Sequence, residues 1–553
     1  MPNTADPASP DRFDWNAAPT LTEFLAGAPP LSQDERTAII AAAEDLLGSY
    51  YVHLPFKRDS HGIDPLGDLG RLGEALPDPA DDVAFQTALC AIFAGLRDLH
   101  TQYTLPKPYR TAAAILPFKL GAFVADGRTR TIVTDILASA TALPLPRGFG
   151  IGAEILTWCG VPVEAAITRL ADLSGGASRA ARRDRALASM TLRPMERQPP
   201  PDLAVVTLTY RAADGKSEGE ASLPWRVIDA GLETVDPALA RFVCMDHEGE
   251  VRRRASARAY HPEVVAAERR AIAQGGRHKP YPDSPALETT LPSVFKAHPL
   301  AGTEYGYIRI FTFSPPIPDA TIDTLLQQFG NEFVRLIRAL PQQGLVIDVR
   351  GNGGGCLPLA ESLLQTLTPK RIVPQPLELR ASPEMLALCR ASSDLNPFVA
   401  SLEQPVGPNP GYSVGVPLTS PDWCNAVGQQ YPAPVVLIVD ARCYSATDAF
   451  AAGFQDHGIG KVVGTSPSTG AGGANVWTLP EIQAALGFGA PQSLPRGASL
   501  RVALRRTRRV GPSAGTLVEE FGITPDIQHV TTRADLLNGD CDLLALAIRA
   551  LHP

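Results

Sequence analysis

Two stretches of this chain are almost wholly apolar: residues 344–350 (GLVIDVR) and 434–440 (PVVLIVD). Runs of this kind are expected of strands buried on both faces, as in the parallel sheet of an α/β protein. Each runs into a tight turn and then a helical pattern. The first turn is Gly351, Asn352, Gly353, Gly354 and Gly355; the second ends at Tyr444 and Ser445. Glycine lets backbone N–H groups approach a ligand oxygen closely. A serine at a helix N-terminus places its hydroxyl where the helix dipole favours negative charge. An anion-stabilising turn and a hydroxyl nucleophile are what acyl transfer requires. Taken singly, each turn has a plainer reading: Ser445 as a helix N-cap, the glycines as a tight turn. A phosphate or dinucleotide loop fits poorly, because GxGxxG and GK[ST] are both absent.

The rest of the α/β pattern surrounds these turns. Residues 307–313 alternate as a strand, 322–340 carry helical periodicity, and 357–367 and 445–456 read as helices. Residues 461–465 read as a short strand and 500–510 as an outer strand. The proline-rich residues 371–430 suggest a cap or lid. Upstream, Ser32 and Glu35 form a capping box ahead of Ile39, Ile40, Ala43, Leu46 and Leu47. With a second helix over 82–99, residues 1–110 are expected to form a helical domain. Residues 115–227 alternate short apolar runs with turns, and 205–210 should pair with 220–227 around Asp214 and Gly215. Residues 228–300 are rich in arginine and poor in apolar residues, which suggests a charged insertion: a solvated helix and loop in the plainer reading, a cleavable or inhibitory, regulatory segment in the sharper one. A C-terminal helix is expected over 536–553.

The bulk numbers exclude some function classes. A net charge of −8 over 553 residues gives no reason to expect nucleic acid as a partner. Eight cysteines are scattered without a CxxC, so neither a zinc site nor a disulfide framework is expected. Cys356 and Cys443 lie beside the two turns, and a thiol nucleophile has to be weighed there. Residues 1–15 lack a basic n-region and an apolar h-region, and no run reaches the roughly 18 residues of a membrane span. The expectation is a soluble, cytoplasmic protein without a membrane partner. Export by a non-classical route and a homodimer both stay open.

In combination, the motifs resemble peptidase family S41, the C-terminal-processing and tricorn-type proteases. The family pattern DxRxNxGG matches Asp348, Arg350, Asn352, Gly354 and Gly355, and the serine context matches Ser445, Ala446, Thr447 and Asp448. Val462, Val463 and Gly464 and the closing run Gly522 to Asp526 also fit, so the likeness spans about residues 303–530. It implies a ClpP/crotonase-like catalytic domain over 303–535, with Ser445 as nucleophile and the N–H groups of Gly354 and Ala446 as oxyanion donors. It also implies a polypeptide substrate and no metal or organic cofactor.

One branch of the family uses a lysine base some 25 residues after the serine. Gly470 stands at that place here, and Lys461 comes too early. The chain is more similar to the lysine-less Ser-His-Glu branch that includes the chlamydial protease-like activity factor. Its histidine lies in a DxHT context, matched by Asp98, Leu99, His100 and Thr101. Its glutamate precedes the closing motif by three residues, which is Glu519, with Glu520 as a close rival. The implied triad is Ser445, His100 and Glu519; His457 is a weaker candidate base. Residues 152–163 resemble, more loosely, a PDZ-like domain, which would occupy 115–227. The competing readings are a non-catalytic ligand- or peptide-binding protein on this fold and a crotonase-type acyl-CoA enzyme.

Overall fold

The computed structural model describes residues 14–76, 78, 81–137, 145–229, 247–260, 286–317, 321–404, 411–488 and 493–552. The two apolar runs form the middle of a six-stranded sheet. Its order is Phe295–Pro299, Gly306–Ile310, Leu345–Asp348, Val435–Val439, Lys461–Gly464 and Ile527–Gln528. Only the first pair is antiparallel. Side chains alternate across a strand, and here they sort cleanly between two cores. Leu345, Ile347, Val435, Leu437 and Val439 pack with the helices Ile322–Ala339, Leu357–Leu364 and Ala446–Asp456. Val346, Val436 and Ile438 face the helix Cys541–Leu551. Both faces are covered, which is why the runs carry almost no polar residues.

The sheet takes in Phe295–Pro299, so it begins inside the stretch expected to be an insertion. Part of that stretch is also a packed helix, His247–Tyr260. Val251, Ala255 and Ala259, four residues apart, bury one face against Ala113, Ile115, Leu192 and Ile228. Arg252 Nη2 donates to Ser189 Oγ at 2.8 Å. Three small apolar residues suffice for this face, and the arginines between them hide it in the sequence. The remainder of the expected insertion, 230–246 and 261–285, lies outside the described residues.

A second, antiparallel sheet has the order Phe118–Ala125, Arg128–Ile136, Glu154–Trp158, Val205–Arg211 and Glu218–Pro224. The hairpin around Asp214 and Gly215 pairs Val205 with Pro224.

A third sheet corrects two expectations. Ser499–Thr507 is central rather than outer: it pairs with Gln102–Thr104, Pro376–Leu379 and Ala474–Thr478. It is buried from Leu500 onward, arginines included. Those arginines have internal partners: Arg501 Nη2 donates to the Leu99 carbonyl at 2.6 Å, and Arg506 Nη2 lies 2.7 Å from Glu378 Oε2. Charge in the sequence therefore misreports exposure. The supposed lid supplies Pro376–Leu379 to this sheet, and its helix Pro383–Ala391 buries Met385, Leu388 and Cys389 in the adjoining core.

The N-terminal helices Gln33–Tyr50, Leu54–His61 and Asp82–Gly95 share that core. The Ser32 and Glu35 capping box is formed. Docking onto the central strand is direct: Val52 N–H donates to the Ala503 carbonyl, and Ala503 N–H to Thr101 Oγ1, each at 3.0 Å. The loop holding His100 is thus stitched to the third sheet. Among the described residues, no helix is long and apolar enough to cross a membrane.

Candidate active site

Strand Val435–Val439 delivers the chain to Ser445, which stands at the N-cap position of the helix Ala446–Asp456 but does not act as a cap. Its φ is 58° and ψ −123°, and its side chain makes no capping bond. A non-glycine residue held there stores strain that the surroundings must impose. The glycine turn supplies the surroundings. Gly354 has φ 98°. A Cβ on it would lie 2.6 Å from Ser445 Cβ, 2.7 Å from the Tyr444 carbonyl oxygen and 2.9 Å from Ala446 N. Only a bare backbone fits against the serine turn. Gly354→Ala should therefore cost about 2–4 kcal/mol of stability and most of any activity. Thermal melts and probe labelling of the purified variant check both.

Gly354 N–H itself donates to Asn352 Oδ1 at 2.9 Å. In this conformation the expected oxyanion donor is engaged internally, and Asn352 acts as a brace for the turn. Ala446 N–H and Gly353 N–H have no hydrogen-bond partner among the described residues. Helix His247–Tyr260 reaches the same place: Gly249, Glu250 and Arg253 line a small cavity with Gly351, Gly353 and Gly354.

Tertiary packing brings His100 against the residue before Ser445. Its ring lies 4.6 Å from that of Tyr444, tilted by 30°. Tyr444 Oη accepts the Leu99 N–H at 2.9 Å. Asp98 Oδ1 accepts the His100 N–H at 2.7 Å and lies 3.4 Å from Tyr444 Oη. The DxHT segment is thereby latched onto the serine turn. Asp98, His100 and Glu519 are all buried, and their side-chain ligand atoms lie within 4.8 Å of one another. Burial works against the Asp98 carboxylate, but the His53 and His100 imidazoles and the Lys57 ammonium hold its pKa below the ordinary value.

Glu519 and Glu520 separate cleanly. Both have non-helical backbones within Val518–Phe521, Glu520 at φ 81°. Glu519 joins His100; Glu520 turns to Lys57 and His61, at 2.6 and 2.7 Å. Burial and the neighbouring Asp98 push the Glu519 carboxyl well above the usual range, and Lys57, 3.1 Å away, opposes them. Lys57, Asp98 and Tyr444 are polar participants that the motifs did not single out. The DxHT pattern contained Asp98, but nothing in the local sequence marks Lys57.

The other candidates fall away on geometry. A Cβ at Gly470 would sit 2.7 Å from the Cys443 carbonyl oxygen and 2.9 Å from the Tyr444 ring, so no lysine could start there. His457 caps the far end of the serine helix, with Nδ1 2.8 Å from the Gly453 carbonyl and Nε2 accepting the Val373 N–H at 3.0 Å. Both ring nitrogens are committed to structure. Cys443 is fully buried, its thiol is pushed well up by burial, and it bonds to the Val349 carbonyl.

Asp448 braces the loop that stands in the lysine's place. Its Oδ2 accepts the Gly472 N–H at 2.7 Å. Burial pushes its carboxyl up to about 7, against hydrogen bonds from Thr469, Gly472, Ser445 and Ala471. The folded state therefore retains a proton that the unfolded chain releases near pH ~4. Its stabilising effect is complete below that value and fades as pH rises through about 7. Asp448→Asn lacks this titration. Its Tm should rise relative to wild type between pH about 5 and about 8, which parallel melts will show.

Compared with known proteins, residues 304–529 match the model of peptidase family S41. No curated protein matches the chain significantly by sequence. Among solved structures it is similar to mature CPAF, at TM-score 0.62 and 16% identity over 93% of this chain and 96% of that one. The structure of mature CPAF complexed with lactacystin superposes equally, at TM-score 0.62 and 16% identity, over 94% and 98% of the two chains. At that identity the likeness establishes the mixed α/β fold.

Proposed function

Because residues 304–529 belong to peptidase family S41, we propose that this chain is a serine endopeptidase acting on polypeptides, with Ser445, His100 and Glu519 as its triad. The observation that carries the reading is the uncapped, positive-φ Ser445 pressed against Gly354, with His100 latched onto the adjoining Tyr444. A serine held out of its capping role at a buried helix start is not committed to the first turn of that helix. Imidazole is the natural base for it near neutral pH.

In this mechanism Ser445 Oγ attacks the scissile carbonyl carbon as its proton passes to His100. The carbonyl π electrons move onto oxygen, where Ala446 N–H and an N–H of the glycine turn stabilise the charge. Asn352 must release Gly354 N–H, or Gly353 must serve instead. Collapse of the tetrahedral species breaks the C–N bond, and His100 returns the proton to the leaving amine. Water then attacks the acyl-enzyme with His100 again as base, freeing the acid and Ser445. Glu519 stabilises the imidazolium without taking its proton.

A fluorophosphonate probe tests this directly. It should form a stable adduct on wild-type protein, mapped by peptide mass spectrometry to Ser445, and an unfolded protein substrate should be cleaved at internal bonds. An adduct on another residue, or binding of peptides without hydrolysis or labelling, would favour a non-catalytic or different role.

A further inference from the structure

Lys57 lies on the helix Leu54–His61 beside Arg58, whose side chain is exposed, yet Lys57 itself is completely buried. Its Nζ lies 3.1 Å from Glu519 Oε1, 2.6 Å from Glu520 Oε2 and 3.0 Å from the Arg97 carbonyl oxygen. An ammonium has three hydrogens to donate, so these three acceptors saturate it. Burying a lysine is unfavourable unless its charge is matched. Burial would lower its pKa, and the carboxylates of Glu519, Glu520 and Asp98 overcome this and keep it charged.

Glu519 also has a carboxylate oxygen within 4.8 Å of the His100 ring and the Asp98 carboxylate. Two buried carboxylates this close repel, and one tends to take up a proton. A protonated Glu519 could not stabilise an imidazolium on His100. Burial favours that protonation most, Asp98 and Glu520 add to it, and the Lys57 ammonium, in contact with the carboxylate, opposes it. Tyr51 and Tyr444 also face the cluster, and both are held neutral by burial. His61, 2.7 Å from Glu520 Oε1, completes the outer edge.

We infer that Lys57 is a positioning residue for the candidate active site: its ammonium is the counter-ion that holds the Glu519 carboxylate against His100, while Glu520 and the Arg97 carbonyl fix the ammonium in place. The inference rests on the peptidase reading above. It makes the N-terminal helices responsible for two elements of the centre, the base and the charge behind its carboxylate. It also assigns a task to Glu520, whose positive φ turns its side chain inward to Lys57.

The test is the rate of fluorophosphonate labelling as a function of pH, on full-length wild type, Lys57→Met and Glu520→Gln, with thermal melts of each. Lys57→Met keeps most of the volume and removes the charge. Its labelling near neutrality should fall at least about tenfold, and its acid limb should move up by about one pH unit or more. The rate should recover toward wild type in alkali, where Glu519 ionises without help. An equal loss at every pH, or no loss, would overturn the inference, since a merely structural lysine has no reason to shift the limb. Glu520→Gln removes a competing anion and leaves Lys57 on Glu519, so its acid limb should move down. If Lys57→Met fails to fold, Glu520→Gln decides: an unmoved or raised limb overturns the role. Wild type that does not label at all removes the peptidase reading itself, a different outcome from a wild type that labels beside variants with unshifted limbs.

Discussion

Ser445→Ala should abolish probe labelling and lower peptide hydrolysis by on the order of 10⁴–10⁶-fold. The chain should stay folded. Alanine at φ 58° is as strained as serine there, so the turn gains and loses little. The side chain is nearly buried and caps no helix N–H, so removing the hydroxyl leaves no capping group missing. A large loss with an unchanged melt would locate the chemistry on one oxygen atom. Labelling that survives the substitution would sink the nucleophile assignment. Cys443 is no substitute, since its sulfur is buried and bonded to the Val349 carbonyl.

His100→Ala should come close to the same loss, on the order of 10³–10⁶-fold, with Ser445 still present. The reason lies in the surroundings. His457 is committed to the Gly453 carbonyl and the Val373 N–H, and a lysine at 470 has no room. Neither can take over the role of His100. Residues that act as a unit do not add, so Ser445→Ala with His100→Ala should be hardly slower than either alone. Cavity formation beside Tyr444 will lower the melting temperature somewhat. A His100→Ala rate within tenfold of wild type at a normal melt would overturn the base assignment.

The core of the fold was legible because two strands buried on both faces must be apolar throughout. Leu345–Asp348 and Val435–Val439 sit in the middle of the sheet. Their alternate side chains reach two different cores. Ser499–Thr507 was misplaced because Arg501, Arg505 and Arg506 mimic an exposed edge, whereas carbonyls and Glu378 pair with them inside. The packing of helix His247–Tyr260 was missed because Val251, Ala255 and Ala259 are outnumbered by arginines, which read as a solvated face. Hydropathy reports burial only when buried residues are apolar. Polar residues with internal partners escape it.

The candidate site divides along the same line. The sequence by itself determined what is local: a strand ending in a glycine turn, another ending in Ser445, and the absence of a lysine where Gly470 stands. These follow from steric rules acting over a few residues, since only glycine tolerates the approach that Gly354 makes to Ser445. Only the tertiary structure decided which distant groups complete the centre. It set Glu519 rather than Glu520 beside His100 and turned Lys57 inward. Those choices depend on hydrogen bonds and charge pairs between segments hundreds of residues apart. Such contacts are fixed when the N-terminal helices dock on Ser499–Thr507, and they leave no periodic trace along the chain.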